Sequence, residues 1–495
     1  MTLINSRPWP PTGWTEVFDL YKEHAAWFSG DPITLSSVYA GRLAHSKFWS
    51  KQLIAERRVM LHVPVAGDIS ATSASMLFSE HPVVKIPGAD ASGSPEEKTQ
   101  QHLNELIEAT SFFNLLSEAA ESASALGGVF IKVNWDKKRS SYPIPSIVQA
   151  DCAIPHFWFG ILTSVDLYRV IETDDDDVTW WHCEEHTAGK IINHLFRGTE
   201  HDHGSEVDLS SRPETADLPA EIDTGLPGLA CRYIPNMRPN RRFRNRSIGQ
   251  SDYSGIEGVM DSIDEVWTSW MRDIRLGVGR LVGSQSMFEK DSETGEYSFD
   301  LDREAYIALN APLGEGNLKD QIDQVQFDIR AEAHKATIDS LLRQAYTLAG
   351  YSPQTFGLDI QGQAESGTAL KTRERRTFIT TAKKAGYWAP AIADILEIML
   401  QIDKRHLDGK VEPLRPNVEM QDSVQSSVAD IASSLDLVNR AAAVSLITKI
   451  RMLHPDWGPE QVEAEKQAIL DEQGANVPDP TTLGRGDSEN DEEAE

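Results

Sequence analysis

Cysteine is scarce in this chain: Cys152, Cys183 and Cys231 among 495 residues, far apart and without metal-ligand spacing. An odd, sparse count argues against a disulfide framework and suits a reducing compartment. No run of about 18 apolar residues occurs, so no membrane span is expected. Met1 to Trp14 lacks the charged, apolar and cleavage-site succession of a signal peptide. Basic charge is in deficit, with 47 Lys and Arg against 76 Asp and Glu and a formal net charge of −29. A protein that grips DNA carries a basic surface, whereas this one repels DNA overall. Catalytic signatures are missing too. There is no Gly-x-x-x-x-Gly-Lys-Ser/Thr loop for a nucleotide, and Gly277-Val278-Gly279 is too little for a dinucleotide fingerprint. No Gly-x-Ser-x-Gly elbow is found. A non-enzyme without a cofactor is expected. Apolar residues at 40% and charged residues at 25% are ordinary for a soluble globular protein, and the length allows about two to four structural units.

What is present centres on Gly249 to Val282. Tyr253, Ile256, Met260, Ile263, Trp267, Trp270 and Ile274 recur at alternating steps of three and four, which predicts one narrow apolar stripe on a helix. Glu257, Asp261, Asp264, Thr268, Arg272 and Arg275 are expected off that stripe. Ser251 or Asp252 can cap the helix by accepting its free N–H groups. From Asp252 to about Leu276 such a helix is roughly 37 Å long. Gly277, Gly279 and Gly283 weaken it beyond that point. Its seam must find another helix, and a core helix of an α+β protein meets that need.

Upstream, Trp14 to Leu61 reads helical with a break at Pro32, and Thr99 to Leu126 forms a second helical region stopped by Gly127-Gly128. Between them Pro87 to Pro95 is a loop. Strand candidates follow at 129–135, 155–161, 167–172, 178–185 and 190–197, separated by turn signals, and predict an antiparallel meander. His201 to Gly228 is polar, acidic and rich in Pro and Gly, so a loop or partly disordered insertion is expected. Arg238, Arg241, Arg242, Arg244 and Arg246 crowd one loop. This is either a basic patch for DNA or an acidic neighbour, or a solvated loop pairing with this chain's own carboxylates; the second reading is favoured.

Downstream, Leu281-Val282 and Ser286-Met287-Phe288 are short and apolar. Asp291 to Gly295 is a hairpin-like turn signal with Glu296 to Leu301 as its return strand. Ile329 to Ala349 forms a second helix, with Ile338, Leu341, Leu342, Ala345 and Leu348 on one face. Gly350 to Glu365 reads as a flexible loop, either a plain connector or a functional segment. Ser366 to Asp403 is the longest helical stretch, basic in its first half, and Pro390 should kink or interrupt it. Ser423 to Leu470 is helical with a break at His454-Pro455. Gly474 to Glu495 is acidic, nearly free of apolar residues and expected to be disordered.

The run Gly249-Gln250-Ser251-Asp252-Tyr253 opening a long helix, followed by Ser366-Gly367-Thr368-Ala369-Leu370-Lys371, resembles the portal proteins of tailed double-stranded DNA bacteriophages. The resemblance covers roughly Ala125 to Asp403, and its specificity lies in the order and context of the two motifs. It implies an α+β portal-type fold: a wing over 1–250 of helices and then a β-meander, a first stem helix over 251–280, a clip over 281–328 and a second stem helix over 329–349. A tunnel loop over 350–365 would follow, then a long kinked wing helix over 366–410, a helical crown over 411–473 and an acidic tail over 474–495. Gln354, Asp359, Gln361, Gln363 and Glu365 would line the channel. Gly249, Ser251, Asp252, Ser366, Gly367 and Thr368 carry the motifs, and the stripe from Tyr253 to Ile274 would pack stem against stem. The implied assembly is a ring of twelve copies at one capsid vertex that admits and ejects double-stranded DNA without sequence-specific binding. Its implied partners are terminase, the major capsid and scaffolding proteins and a head-to-tail connector, first in host cytoplasm and then in the virion. Mostly acidic walls would keep friction on moving DNA low.

One alternative from another class is a zinc-dependent hydrolase. His182-Cys183-Glu184-Glu185-His186 fits an H-x-x-E-H pattern, which needs both histidines on one helical face so that their nitrogens converge on zinc. The preceding Val178-Thr179-Trp180-Trp181 favours a strand instead, where positions four apart lie about 13 Å apart and cannot chelate one ion.

Overall fold

The structure, a computed structural model, describes residues 8–40, 48–49, 60–89, 91, 93–174, 177–277, 280–284, 306–309, 323–325, 329–358, 367–421, 436, 440, 444–453 and 457–475. For 280–284, 306–309, 323–325, 367–373, 459–460 and 473–475 it describes the backbone alone. Helices and sheets are mixed, as the α+β expectation requires. Two compact units are present: Met1–Gln363 with Lys371–Ser423, and Ala364–Leu370 with Val424–Glu495.

The first unit opens with helices α1 (Thr15–Ser29), α2 (Pro32–Tyr39) and α3 (Val65–Phe78), then β1 (Val83–Lys85), α4 (Pro95–Ala109) and α5 (Phe112–Leu126). The break at Pro32 is present: left-handed Gly30 ends the first helix and Pro32 starts the second. It sits in the first turn of α2, where a missing N–H costs nothing, behind the Asp31 carboxylate that accepts from Ile33 and Thr34 N–H. The helical region over 99–126 is made of two helices. Ser111, at φ 50°, reverses the chain between α4 and α5. Ser94 caps α4 by accepting from Glu97 N–H. Helix α3, rich in Ser, Ala and Thr, carries no strong apolar periodicity in its sequence and is not among the expected helices.

Strands β2 (Gly128–Asn134), β3 (Ile144–Gln149), β4 (Ala153–Trp158), β5 (Ile161–Thr173), β6 (Thr179–Thr187), β7 (Lys190–Thr199), β8 (Asp202–Val207), β9 (Glu221–Asp223) and β10 (Cys231–Pro235) follow. The meander is present as β4-β5-β6-β7-β8 in antiparallel order, with β9 pairing β7. A second sheet runs β10-β2-β3. The expected loop over 201–228 is therefore corrected. It contains β8, β9 and a 3-10 turn at Leu209–Ser211, and main-chain pairing to β7 holds polar residues in the sheet.

Helix α6 (Glu257–Leu276) leads to β11 (Arg280–Ser284), β12 (Tyr306–Leu309) and β13 (Asp323–Val325), a small sheet in the order β12-β11-β13. The β11–β12 pair is parallel and the β11–β13 pair antiparallel. The expected turn and return strand over 291–301 lie outside the described residues. Helix α7 (Ala331–Ala349) returns, α8 (Gly367–His406) follows, and β14 (Asn417–Glu419) closes the unit against β1. Helix α8 is continuous through Pro390, so the expected interruption does not occur. The Pro390 carbonyl accepts from the Arg415 guanidinium, and Ala391, Ile392, Ile395 and Leu396 just beyond it are buried.

Three apolar clusters hold this unit. One joins α1, α2 and α3 to Tyr253, Ile256, Met260 and Ile263 and to the end of α7. Another places Trp388, Ile392, Ile395, Leu396 and Met399 of α8 against α4, α5 and β2. The third lies between the two large sheets, around Phe130, Val165, Leu167 and Cys231. In the second unit, helices Leu446–Leu453 and Pro459–Ala475 pack together. The expected break at His454-Pro455 and the tail beyond 475 lie outside the described residues.

Candidate functional site

The segment before α6 is an anchor and does not cap the helix. Asp252 is buried ahead of α6, which starts five residues later than expected with Ile256 at its N-cap and no capping side chain. The Asp252 carboxylate accepts from Lys384 Nζ, Ser124 Oγ (2.6 Å) and Tyr351 OH (2.9 Å) on Oδ2, and from Asn236 Nδ2 (2.8 Å) on Oδ1. Lys384 donates further to Ser73 Oγ (2.6 Å) and Tyr351 OH (2.9 Å), which uses all three ammonium protons. Both charged side chains are 1% exposed. One buried ion pair thus ties α3, α5, the end of β10, the entry to α6, the exit from α7 and the middle of α8. Burial pulls the Lys384 ammonium below its ordinary value, and Asp252 opposes that shift. It pushes the Tyr351 hydroxyl up, with the Asp252 charge adding to the effect.

The rest of the first motif serves the same anchor. Ser251 Oγ donates to Ser124 O (3.1 Å) and accepts from Tyr253 N–H (3.3 Å). Gly249 crosses the backbone of Gly127 so closely that a Cβ on Gly249 would overlap the Gly127 carbonyl oxygen. Its own N–H donates to Tyr233 OH (2.8 Å) and its carbonyl accepts from Asn240 Nδ2 (2.6 Å). Glycine is needed here for close approach of two backbones.

Along α6 the seven stripe residues divide. Tyr253, Ile256, Met260 and Ile263 are buried in the first apolar cluster. Trp267 and Trp270 are half-buried, with rings 5.7 Å apart and edge-on, and Ile274 is exposed. Off the apolar stripe, part of the polar face is buried. Asp264 is fully buried and accepts from Trp49 Nε1 (3.0 Å), His62 Nδ1 (2.8 Å) and Val63 N–H (2.8 Å). Asp261 accepts from Phe48 N–H (3.3 Å), and Thr268 Oγ1 from Leu61 N–H (3.0 Å). These positions sit at i, i+3 and i+7, the same helical spacing as the apolar stripe, so they form a second stripe that holds Phe48, Trp49 and Leu61 to Val63. That spacing was readable, but a carboxylate row looks the same whether it meets water or buried donors.

Helices α6 and α7 are antiparallel neighbours. Near the end of α6, Asp273 accepts from His334 Nε2 (2.9 Å) and Arg330 Nε (2.9 Å) at the start of α7. Those two partners hold its carboxyl below the usual range. Trp270 stacks on the His334 ring at 6.1 Å with planes 10° apart. On α7, Ile338 and Ala345 are buried and Leu341 and Leu342 partly so, but Leu348 is exposed, which corrects its expected place on the apolar face.

The loop after α7 is packed over its first part, against the expectation of flexibility from Gly350. Tyr351 and Ser352 are buried, Pro353–Phe356 form a 3-10 turn, and the rings of Tyr346 and Phe356 stack at 3.7 Å. Gln354 is half-buried in that turn. Asp359, Gln361, Gln363, Glu365 and Ser366 lie outside the described residues, and Gly367 and Thr368 open α8.

The histidine pattern lies on strand β6. His182 Nε2 pairs with Asn193 Oδ1 (3.0 Å), while His186 Nε2 pairs with Glu184 (2.9 Å), whose other partner is Lys132 Nζ (2.7 Å). Among the described residues no group of three His, Cys, Asp or Glu could hold a metal ion. The arginine loop does not pair with carboxylates among the described residues. Arg238 donates to Ser247 O and lies over Phe157 and Tyr233. Arg246 donates to Gly13 O and covers the Trp14 ring at 4.3 Å. Arg241, Arg242 and Arg244 are exposed.

No protein-family model matches the chain, and no curated protein matches it. Solved structures do. The chain is similar to one from the neck of a native GTA particle computed with C12 symmetry, at 10% identity and TM-score 0.44 over 91% of this chain and 95% of that one. It is also similar to one from the neck of an empty GTA particle computed with C6 symmetry, at 11% identity and TM-score 0.43 over 79% and 90%. A chain from the virion of the native gene transfer agent particle matches at 11% identity and TM-score 0.42 over 90% and 95%.

Proposed function

We propose that this chain is a portal-type structural protein that assembles as a ring at a capsid vertex and forms the channel for DNA. The observation that carries the reading is the antiparallel pair α6 and α7 bracketing a small three-stranded sheet, with its base locked by the Asp252–Lys384 pair. An upright rod pair needs such an anchored base, because isolated helices are marginal in water. Trp267, Trp270 and Ile274 leave apolar surface toward the far end of α6. A neighbouring copy would cover it, and a heterologous contact that closes gives a ring.

In this reading residues 251–280 and 329–349 are the stem and 281–328 the clip that meets terminase and then the head-to-tail connector. Residues 350–365 form the tunnel loop, 1–250 with 366–410 the wing, 411–473 the crown and 474–495 the tail. Twelve copies, double-stranded DNA in transit, and the capsid and scaffolding proteins complete the proposed assembly. Purified protein imaged by electron microscopy, with native mass measured in parallel, tests it. Large particles with an axial hole are expected, and a monodisperse monomer across the micromolar range would refute the reading.

A further inference from the structure

The tip of the β4–β5 hairpin is an apolar prong. Trp158 is 68% exposed, Phe159 91% and Ile161 70%, and the two aromatic rings stand edge-on 5.2 Å apart. The turn is Phe159-Gly160, with φ of 50° and 82°. Two-residue hairpin turns of this hand are normally filled by Asn-Gly or Asp-Gly, and a bulky residue at positive φ is a strained choice. Here that choice holds a phenyl ring out in water. Strain that serves no internal packing points to a use outside the subunit. The prong lies beside the arginine loop: Gly160 abuts Ser247, and Arg238 covers Phe157. Exposed Arg241, Arg242 and Arg244 have no carboxylate partner among the described residues, so the loop that touches the base and turn of the prong carries unused positive charge.

The same chain carries a complementary surface. Between α3 and α5 is an open groove of about 480 Å³ that combines Ala71, Ala74 and Phe78 with three serines (Ser75, Ser79 and Ser117) and the two glutamates Glu118 and Glu121. Its size is in the range that receives bulky apolar groups. Neither glutamate has a cationic partner among the described residues. Groove and prong lie on different elements, so one copy's prong seated in the next copy's groove is a heterologous contact, which gives a ring where its rotation closes.

We infer that the Trp158–Phe159–Ile161 prong of one copy docks in the α3–α5 groove of the next, with Arg241 and Arg242 meeting Glu118 and Glu121. The occupant is a second copy of this chain, because the charges match: Arg241, Arg242 and Arg244, without carboxylate partners among the described residues of a strongly acidic protein, face a groove of Ala, Phe and Ser rimmed by two glutamates without cationic partners among the described residues. The inference rests on the proposed ring and names one contact within it.

Phe159→Cys protein mixed with Ser75→Cys protein and treated with a short bis-maleimide is expected to give one covalent dimer. A chain carrying both changes gives a ladder of higher species, and wild type gives neither. Trp158→Ser with Phe159→Ser raises the concentration needed for half-assembly by on the order of tenfold or more, while the urea midpoint of the subunit stays unchanged. Arg241→Glu with Arg242→Glu weakens assembly, and adding Glu118→Arg with Glu121→Arg restores it. Rings that form normally without cross-link, without sensitivity to the prong and without charge-swap rescue overturn this contact and leave the ring standing. A wild-type protein that is monomeric by native mass overturns the ring and this contact with it.

Discussion

Lys384→Met removes the ammonium from the centre of the anchor and keeps most of the side-chain volume. Asp252 then stays buried with three neutral donors, from Ser124, Asn236 and Tyr351, and no counter-charge. Removing one member of a buried pair costs about 3–5 kcal/mol. The three surviving donors place this case at the low end, near about 3 kcal/mol, since hydrogen bonds to a charged group are each worth roughly 1.5–3 kcal/mol. The assay is urea unfolding of the full chain followed by tryptophan fluorescence. Trp388, one turn beyond Lys384 and fully buried, reports on the same helix. The slope with urea should stay constant while the midpoint falls. Asp252→Asn alone should also destabilise, and the double variant should lose less than the sum by more than about 1 kcal/mol, because the two groups share one interaction. A loss below about 1 kcal/mol for Lys384→Met, or strict additivity, would refute the claim that this pair locks the base of the helices.

Other expectations follow from the same geometry. His203 is caged by Trp9, Tyr168, Trp181 and Phe196, with neither ring nitrogen hydrogen-bonded among the described residues, and burial lowers its pKa from 6.5 to about 4. The unfolded chain takes up this proton near pH 6.5 and the folded chain only near 4. Stability should therefore fall as pH drops through that window, by about 3 kcal/mol in all, and the loss should stop growing below it. A His203→Phe variant whose pH profile matches wild type would contradict this. Gly249→Ala drives a methyl group into the Gly127 carbonyl and should cost on the order of 1–3 kcal/mol or prevent folding, read from thermal unfolding and soluble yield. Trp270→Asp should weaken the α6–α7 contact by removing the ring that stacks on His334. Trp267→Asp should act on the same seam, and particles of normal size and abundance from both variants would count against its role in assembly.

Legibility varied with the kind of signal. Periodicity in one strongly apolar face was enough to read α6, α7 and α8, and alternation of β-branched and aromatic residues was enough for the antiparallel meander. Polar strands escaped because nothing in Asp202–Val207 or Glu221–Asp223 distinguishes a residue held by a neighbour's main chain from one in a loop. Helix α3 escaped because Ser, Ala and Thr give weak contrast between its faces. The H-x-x-E-H pattern was legible as a strand feature because Val178 to Trp181 set the local conformation, and spacing along a strand separates its histidines.

By itself, then, the chain's pattern determined local conformation: where apolar residues repeat, which stretches turn, and that two helices flank a short β-bearing segment. Burial of charge was decided only by the tertiary structure. Asp252 is a good helix cap by type and position, yet it sits beneath five other elements with Lys384 beside it, 132 residues away in the chain. Asp264 lies off the apolar stripe by its spacing, and is closed over by Trp49 and His62. Local sequence sets the conformational preference of each residue, but whether a carboxylate meets water or a buried donor depends on chain segments hundreds of residues apart. Desolvation is a property of that assembled surrounding.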